Sequence, residues 1–431
     1  MRAEKNSTTD TSTNARAIEL LKAPDFFPRL LQTLQREGLV GEERNAQVLY
    51  IVAASSLLKR PINAILKGRS SSGKNFVGNH VLRLLPKNAV REITSSSKTA
   101  WNYGEDDFCH KVVYLQERND AAGAIHPVRL LISEGQLRRI VTVREKGVWV
   151  QKTVVARGPI SSISTTTRDR IEIDDETRHI SLWVDESCEQ NRRIIMNCLS
   201  DRPEERAGQL RVWKQAYRFI EERAATARVV LPSWFGQIGD NVYAGSVTVR
   251  RYFPAFVEAC RTLALLRSFQ KHSEGNDVTL RDLIEVDFVD YSVAAILFES
   301  VFVESLHRTA DKNSATRLAV EKISKEKNGT GVTAKELALH LSISEDRAYA
   351  RLRSATQAGV VERANEPQRG NLKLYRPVDL PRFVPEPQSV FSKINGIPSP
   401  VEFIHPLTGD PVRFSRRASQ TKKSSTQGGK S

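Results

Sequence analysis

Three runs of helical spacing open the chain. Apolar residues fall at Ile18 and Leu21, at Leu30, Leu31 and Leu34, and at Val48, Ile51 and Val52. Pro24 and Pro28 punctuate the first two runs and Pro61 ends the third, because proline lacks the amide a helix interior needs. From residue 62 to about 185 the pattern changes to short β-rich runs alternating with helical segments, which predicts an α/β sheet domain. The runs are Ile62–Leu66, Ala89–Thr94, Lys111–Leu115, Ile160–Ser164 and His179–Val184. Helical spacing returns from Glu189 to His307, including Arg251–Arg267 and Tyr291–His307.

These patterns divide the chain. Residues 1–15 are Ser/Thr/Asn-rich and expected to be disordered. A helical lead-in over 16–60, an α/β core over 61–188 and a helical region over 189–307 follow. Residues 308–330 are charged and polar and read as a linker, and 331–378 form a further small domain. Residues 379–431 are Pro-rich and then basic, a tail expected to be largely disordered. No internal repeat is visible.

Composition narrows the partners. The chain has 431 residues, long enough for two or three domains. It carries 65 Lys+Arg against 50 Asp+Glu, a formal net charge of +15, which favours a polyanion, nucleic acid before membrane. A basic tail on a neutral protein accounts for part of the same excess. The four cysteines, at 109, 188, 198 and 260, form no C-x-x-C pair, so free thiols are the simplest account. The polar start, Met1 to Asn14, lacks the apolar stretch of a signal peptide, and no run reaches the ~18 apolar residues of a membrane span. A cytoplasmic protein with no membrane partner is the expectation.

One stretch carries candidate chemistry above all others. Gly68-Arg69-Ser70-Ser71-Ser72-Gly73-Lys74-Asn75 follows the apolar run Ile62–Leu66 and precedes the helical spacing of 75–85. Strand, glycine-flanked loop and helix in that order fit G-x-x-x-x-G-K, whose amides cradle phosphates while the lysine reaches the β- and γ-phosphates. ATP with Mg²⁺ is the expected cofactor. Asn75 stands where a Ser or Thr hydroxyl normally holds the metal, and its carbonyl oxygen is a plausible replacement. About 40 residues past Lys74, the run Lys111–Leu115 ends in Gln116-Glu117. Glu117 suits the base that polarises attacking water, while Gln116 takes the metal-facing place of a carboxylate.

Further along, 140–150 alternates apolar positions around a polar turn, with Arg144 and Lys146 near the tip of a predicted hairpin. Those cations suit a phosphate backbone; ordinary surface charge on a solvated hairpin accounts for them equally. Ile160–Ser164 leads into the hydroxyl run Thr165-Thr166-Thr167, and Arg178 precedes His179. Strand-end hydroxyls can bond a γ-phosphate or attacking water, and an arginine from a neighbouring subunit can neutralise transition-state charge.

In this order the motifs resemble a ring-forming AAA+ ATPase, and most closely the MCM-like (minichromosome maintenance) helicase domains of bacterial mobile-element replication proteins. Gly38-Leu39-Val40-Gly41-Glu42-Glu43, the phosphate loop, Leu131-Ile132-Ser133-Glu134-Gly135 and the threonine run are similar to that group. The resemblance spans roughly 24–305 and implies an AAA+ P-loop core with an α-helical lid. It implies Lys74 on the phosphates, Glu117 as base, Thr166 as first sensor and Arg178 as the arginine given to a neighbour. It also implies Arg250, in Val247-Thr248-Val249-Arg250-Arg251 at the start of a lid helix, as a γ-phosphate sensor, and Lys146 as a channel-facing DNA contact. Asn75 and Gln116 depart from the family's pattern, which leaves open slow hydrolysis or binding without turnover.

The small C-terminal domain has its own logic. Thr333-Ala334-Lys335-Glu336 predicts a capped helix start. A second helix from Ser344 buries Ala348, Leu352 and Ala355, leaving Arg347, Arg351 and Arg353 more exposed. Val360–Arg363 and Leu372–Arg376 then predict a strand pair. This resembles a winged helix-turn-helix, whose second helix can enter a DNA major groove; such domains also serve as protein-docking modules. The expected whole is an ATP-driven DNA motor or remodeller working as a homo-hexameric ring in replication of a mobile element. Two other readings stay open: an ATP-switched DNA-binding initiator without unwinding, and an inactive scaffold recruiting a separate primase or polymerase.

Overall fold

The computed structural model describes residues 2–97, 108–168, 171–199, 207–244, 247, 249–271, 283–308, 312–327, 329–357, 359–364, 373–378 and 382–416. Helices α1 (Arg2–Lys22), α2 (Phe26–Arg36) and α3 (Glu43–Ala54) come first. The sheet region follows as β1 (Ala64–Lys67), α4 (Lys74–Leu82), β2 (Val90–Ile93), β3 (Lys111–Leu115) and α5 (Ala122–Glu134). It continues with β4 (Gln136–Glu145), β5 (Val148–Arg157), β6 (Ile160–Thr166), α6 (Ile173–Glu176) and β7 (Ile180–Trp183). Next come α7 (Cys188–Cys198), α8 (Ala207–Thr226), β8 (Arg228–Val230), α9 (Val249–Leu266), α10 (Ser268–Lys271), β9 (Leu283–Glu285) and α11 (Phe288–Arg308). The last elements are α12 (Lys312–Glu326), α13 (Ala334–Leu341), α14 (Glu345–Gln357), β10 (Val361–Arg363), β11 (Tyr375–Pro377), α15 (Pro387–Lys393), β12 (Val401–Ile404) and β13 (Pro411–Phe414).

Among the described residues the central sheet has the order β2-β3-β6-β1-β7, and every neighbouring pair is parallel. Each of the five β-rich runs predicted from the sequence is one of these strands. A parallel sheet covered on both faces needs strands that are apolar throughout, and Ala64, Ile65 and Leu66 of β1 are fully buried. The chain is thus a mixed α/β protein with a parallel central sheet, consistent with a P-loop-like core.

Helix α3 is buried at every position from Ala46 to Ala54, as a helix apolar all round must be. It packs on α4 and β6 and against α9 and α11. The lead-in and the later helices therefore share one hydrophobic core, running from Ala17 to Phe414. A second cluster joins α5 to the base of the β4–β5 hairpin through Val128, Leu131, Leu137 and Ala156. The hairpin turns on Lys146 and Gly147 at φ of 50° and 87°, both positive as a type I′ turn requires.

Three expectations fail. Residues 1–15, expected to be disordered, are reached by α1, which starts at Arg2. Its far half is anchored by Ala17, Leu20 and Leu21, and extending an existing helix needs no new nucleus. Residues 308–330, read as a linker, contain α12. Its Ala319, Val320 and Ile323 share a core with Leu337, Leu352 and Tyr375, so it belongs to the small C-terminal domain. The tail over 379–431, expected to be largely disordered, is packed over its described residues, 382–416. Phe383, Val390, Phe391, Phe403 and Phe414 enter the main core, and Glu299 accepts the amides of Phe383 at 2.7 Å and Val384 at 3.1 Å. The remainder of the basic tail lies outside the described residues.

The small domain has α12, α13 and α14 around its own core, with β10 and β11 paired antiparallel. Thr333 and Glu336 form the predicted reciprocal cap of α13. No described helix is long and apolar enough to cross a membrane.

Candidate functional site

Strand β1 ends at Lys67 and the chain turns at Gly68. A Cβ there would sit 2.5 Å from Val184 Cγ2 and 2.6 Å from Ser72 Oγ, so nothing larger than glycine fits. Ser71 and Gly73 then take left-handed conformations, φ 64° and 88°, before α4 begins at Lys74. Turns of this kind aim consecutive N–H groups into one concavity, and the helix N-terminus adds its partial positive charge. Lys74 is buried and its Nζ donates to the Arg69 carbonyl at 2.6 Å, so the ammonium already stands across the loop.

The strand beside it supplies the carboxylate. Glu117 follows β3 with φ 51°, a left-handed backbone that a non-glycine residue keeps only when its surroundings enforce it. The Thr165 hydroxyl accepts the Glu117 amide at 3.0 Å, and Asn75 Nδ2 donates to Glu117 Oε1 at 3.1 Å. Asn75 Oδ1 is buried with no hydrogen-bond partner. Gln116 Nε2 donates to Asn79 Oδ1 at 3.3 Å. Thr166, fully buried, pairs in register with Lys67, and its hydroxyl accepts the Arg168 amide at 3.1 Å. Lys74, Asn75, Gln116, Glu117 and Thr166 thus gather at the carboxyl end of the sheet, where open α/β sheets hold ligands.

The residues fit a phosphate-bound divalent cation. Asn75 Oδ1 is an oxygen lacking a partner between Lys74 and Glu117. Mg²⁺ takes few protein oxygens and the rest from phosphate and water, so one such oxygen beside a phosphate loop suits it.

A cavity of 760 Å³ opens from the loop. Leu39, Val40, Phe76 and Ile194 supply apolar walls, and Glu37, Glu42, Asp185 and Glu186 supply carboxylates. Glu186 accepts the Arg69 amide at 2.5 Å, and Glu42 accepts that of Asp185 at 2.6 Å. Burial raises the Glu42 pKa, partly offset by hydrogen bonds from the Asp185 amide and from Asn45 Nδ2. Apolar walls with acceptor groups suit the base and ribose of a nucleotide. The sequence predicts a phosphate loop but carries no expectation for the cavity beside it. The apolar and acidic residues that line it come from before β1 and after β7, and only the 38–43 stretch carried a signal.

Arg178 and Arg250 lie elsewhere. Ile180 is in register with Ala64 at the start of β1, so Arg178 precedes the amino edge of the sheet while Gly68–Lys74 follows its carboxyl edge. About 13 Å of strand separates those edges. Arg178 Nε donates to Ser133 Oγ at 2.9 Å, and its Nη1 donates to the Asp174 carbonyl. Arg251 donates to Thr177 Oγ1, and Arg250, the residue before it, is exposed. Neither arginine lines the cavity.

Around Arg178 lies a set of buried charges that the sequence did not disclose. Arg118 Nη2 meets Asp175 Oδ2 at 2.6 Å, and Arg129 meets Asp175 at 2.7 Å and Glu172 at 2.8 Å. Burial raises the Asp175 carboxyl, but hydrogen bonds from Arg129 and the Arg118 charge outweigh it and leave its pKa lowered. Lys67 pairs with Glu176, which also accepts Ser181 Oγ at 2.8 Å. His179 contacts the Asp175 carbonyl at 2.8 Å, and its pKa is pushed down to about 4, by burial first and Arg118 next.

Two further sets of predicted residues are far from the pocket. Arg144 and Lys146 are exposed at the hairpin tip; Arg144 lies over the ring of Trp149, 6.0 Å from its centre, and Trp149 is 68% exposed. On α14, Arg347 and Arg353 are exposed and Arg351 is half-buried. Lys373, just before β11, donates to Tyr349 Oη of α14 at 2.7 Å.

No protein-family model matches the chain, and no curated protein does. Among solved structures, a full-length MCM homolog from Methanopyrus kandleri is 11% identical over 68% of this chain, with a TM-score of 0.39. The match takes in 62% of that protein, less than two thirds of its length. A likeness that slight carries no argument about fold or function.

Proposed function

We propose that the chain is an AAA+ ATPase that moves or remodels DNA as a ring, with each nucleotide site shared by two subunits. The observation that carries this reading is the placement of Arg178 and Lys74 beyond opposite edges of one parallel sheet. An arginine suited to a developing phosphoryl charge is out of reach of its own phosphate loop, which supports its delivery to a second subunit. The exposed position of Arg250, next to the Arg251 that bonds Thr177, supports the same geometry. The strand order, with β1 between β6 and β7, also supports a P-loop ATPase core.

In the proposed cycle, Lys74 leaves the Arg69 carbonyl for the β- and γ-phosphates, and the 68–73 amides hold the rest of the chain of phosphates. Asn75 Oδ1, with Gln116 nearby, would hold Mg²⁺, which would neutralise phosphate charge. Glu117 orients the attacking water, and Thr166 bonds the γ-phosphate. Arg178, and with it Arg250, completes the neighbour's site. We read the small C-terminal domain as a winged helix-turn-helix that lays Arg347, Arg351 and Arg353 on DNA, and the β4–β5 hairpin as a second contact through Arg144 and Lys146. A role in replicating a mobile element, with a separate primase or polymerase as partner, belongs to this reading.

Phosphate release with and without single-stranded DNA tests it, together with light scattering in ATP. DNA-stimulated turnover by a hexamer-sized particle is expected, with Glu117→Gln keeping ATP binding but losing turnover by about 100-fold. A monomer at all concentrations, or binding without turnover in the wild type, overturns it. The second outcome selects the ATP-switched initiator, which Asn75 and Gln116 favour by removing a hydroxyl and a carboxylate from the metal's surroundings.

A further inference from the structure

The segment before Arg178 is held in an unusual way. Asp175 and Glu176 are adjacent, only 3% and 5% exposed, and each is neutralised by a cation from a different strand. Asp175 takes Arg118, the residue after Glu117, and also Arg129 from α5. Glu176 takes Lys67, the last residue before Gly68. Helix α6 spans just four residues, too short to hold itself. Buried ion pairs contribute little net stability compared with apolar packing, but they do fix geometry. Two of them here tie one short segment to the residues that abut the phosphate loop and the catalytic carboxylate. The Arg178 amide donates to the Asp175 carbonyl at 3.1 Å, and Asn63 Nδ2 donates to the Arg178 carbonyl at 3.4 Å. The backbone of Arg178 is thus set by Asp175.

We propose that Asp175 and Glu176 are positioning residues for Arg178, acting on the neighbouring subunit's nucleotide rather than on their own. The inference rests on the shared-site reading above. Arg118 and Lys67 hold the two carboxylates from inside the subunit and so fix the backbone that carries Arg178, whose guanidinium lies against Ser133 Oγ and the Asp174 carbonyl. Loss of either carboxylate loosens that backbone and shifts the guanidinium it carries. The subunit's own loop, Glu117 and cavity stay in place.

Mixed rings separate the possibilities. Asp175→Asn, nearly isosteric, is expected to lower turnover at least tenfold while ATP affinity changes less than twofold. Glu117→Gln is inactive in its own site but still presents Arg178. In equal mixtures about a quarter of the interfaces join an Asp175→Asn site to a Glu117→Gln subunit's arginine, so turnover returns to about a quarter of wild type. Arg178→Ala mixed with Glu117→Gln is the control and recovers to the same level. Should the control recover and the Asp175→Asn mixture stay dead, Asp175 serves its own site or the fold, and the inference is overturned with the shared site intact. Should the control also stay dead, the shared site falls and takes the inference with it. Glu176→Gln, run in parallel with a thermal melt, decides the matter if Asp175→Asn does not fold.

Discussion

The two ends of the central sheet are built from different materials. At the carboxyl end, backbone dominates: Gly68, the left-handed Ser71 and Gly73, and the left-handed Glu117 shape an open concavity beside a cavity of 760 Å³. Toward the amino end, side chains dominate: Asp175, Glu176 and His179 are packed out of water, and Arg118 and Lys67 reach the two carboxylates from the carboxyl ends of β3 and β1. On the proposed reading, an end that admits a ligand needs amides facing space, and an end that presents one charge needs everything behind that charge locked.

The largest effect expected is from Arg178→Ala, which should cut turnover about 1000-fold and leave ATP affinity unchanged in equilibrium binding. Lys74→Ala should act on the opposite end, lowering ATP affinity about 100-fold; equal effects of both variants on binding would erase the distinction. Arg118→Met leaves Asp175 with only part of its neutralising charge, so urea denaturation should show a loss of about 3 kcal/mol. Buried His179 gives the amino end a pH signature. The unfolded imidazole takes up a proton near 6.5, whereas the folded one resists until about 4. The unfolded chain therefore binds more protons in that window, and stability falls as pH drops from about 6.5 to about 4. Thermal melts across that range check it, and the slope should be shallower in His179→Gln. Least of all, Lys146→Ala at the hairpin should weaken single-stranded DNA about threefold and reduce the salt slope by about one.

The strands, the phosphate loop, the hairpin turn and the helix cap at Thr333 were legible because each is written in about ten neighbouring residues: a period of two, a pair of glycines, a reciprocal cap. The base cavity was not, since its walls join residues near 40, 76 and 194. The tail misled because its aromatic residues are spaced by proline-rich sequence with no regular period, and only the surface they meet makes them core. Its hold on the lead-in includes a bond from Gln47 Nε2 to the Pro406 carbonyl at 2.6 Å, across 359 residues.

Local pattern was enough for the strands, for the glycine-flanked turn ahead of α4 and for the position of Glu117 after the neighbouring strand. Which buried charges pair across the sheet came from the three-dimensional arrangement alone. Arg118 and Asp175 are 57 residues apart, and Lys67 and Glu176 are 109 apart. A parallel sheet carries the chain from one edge to the other between successive strands. Residues that follow one strand and precede another are therefore left at opposite ends, and the lateral order of the strands decides which of them pair.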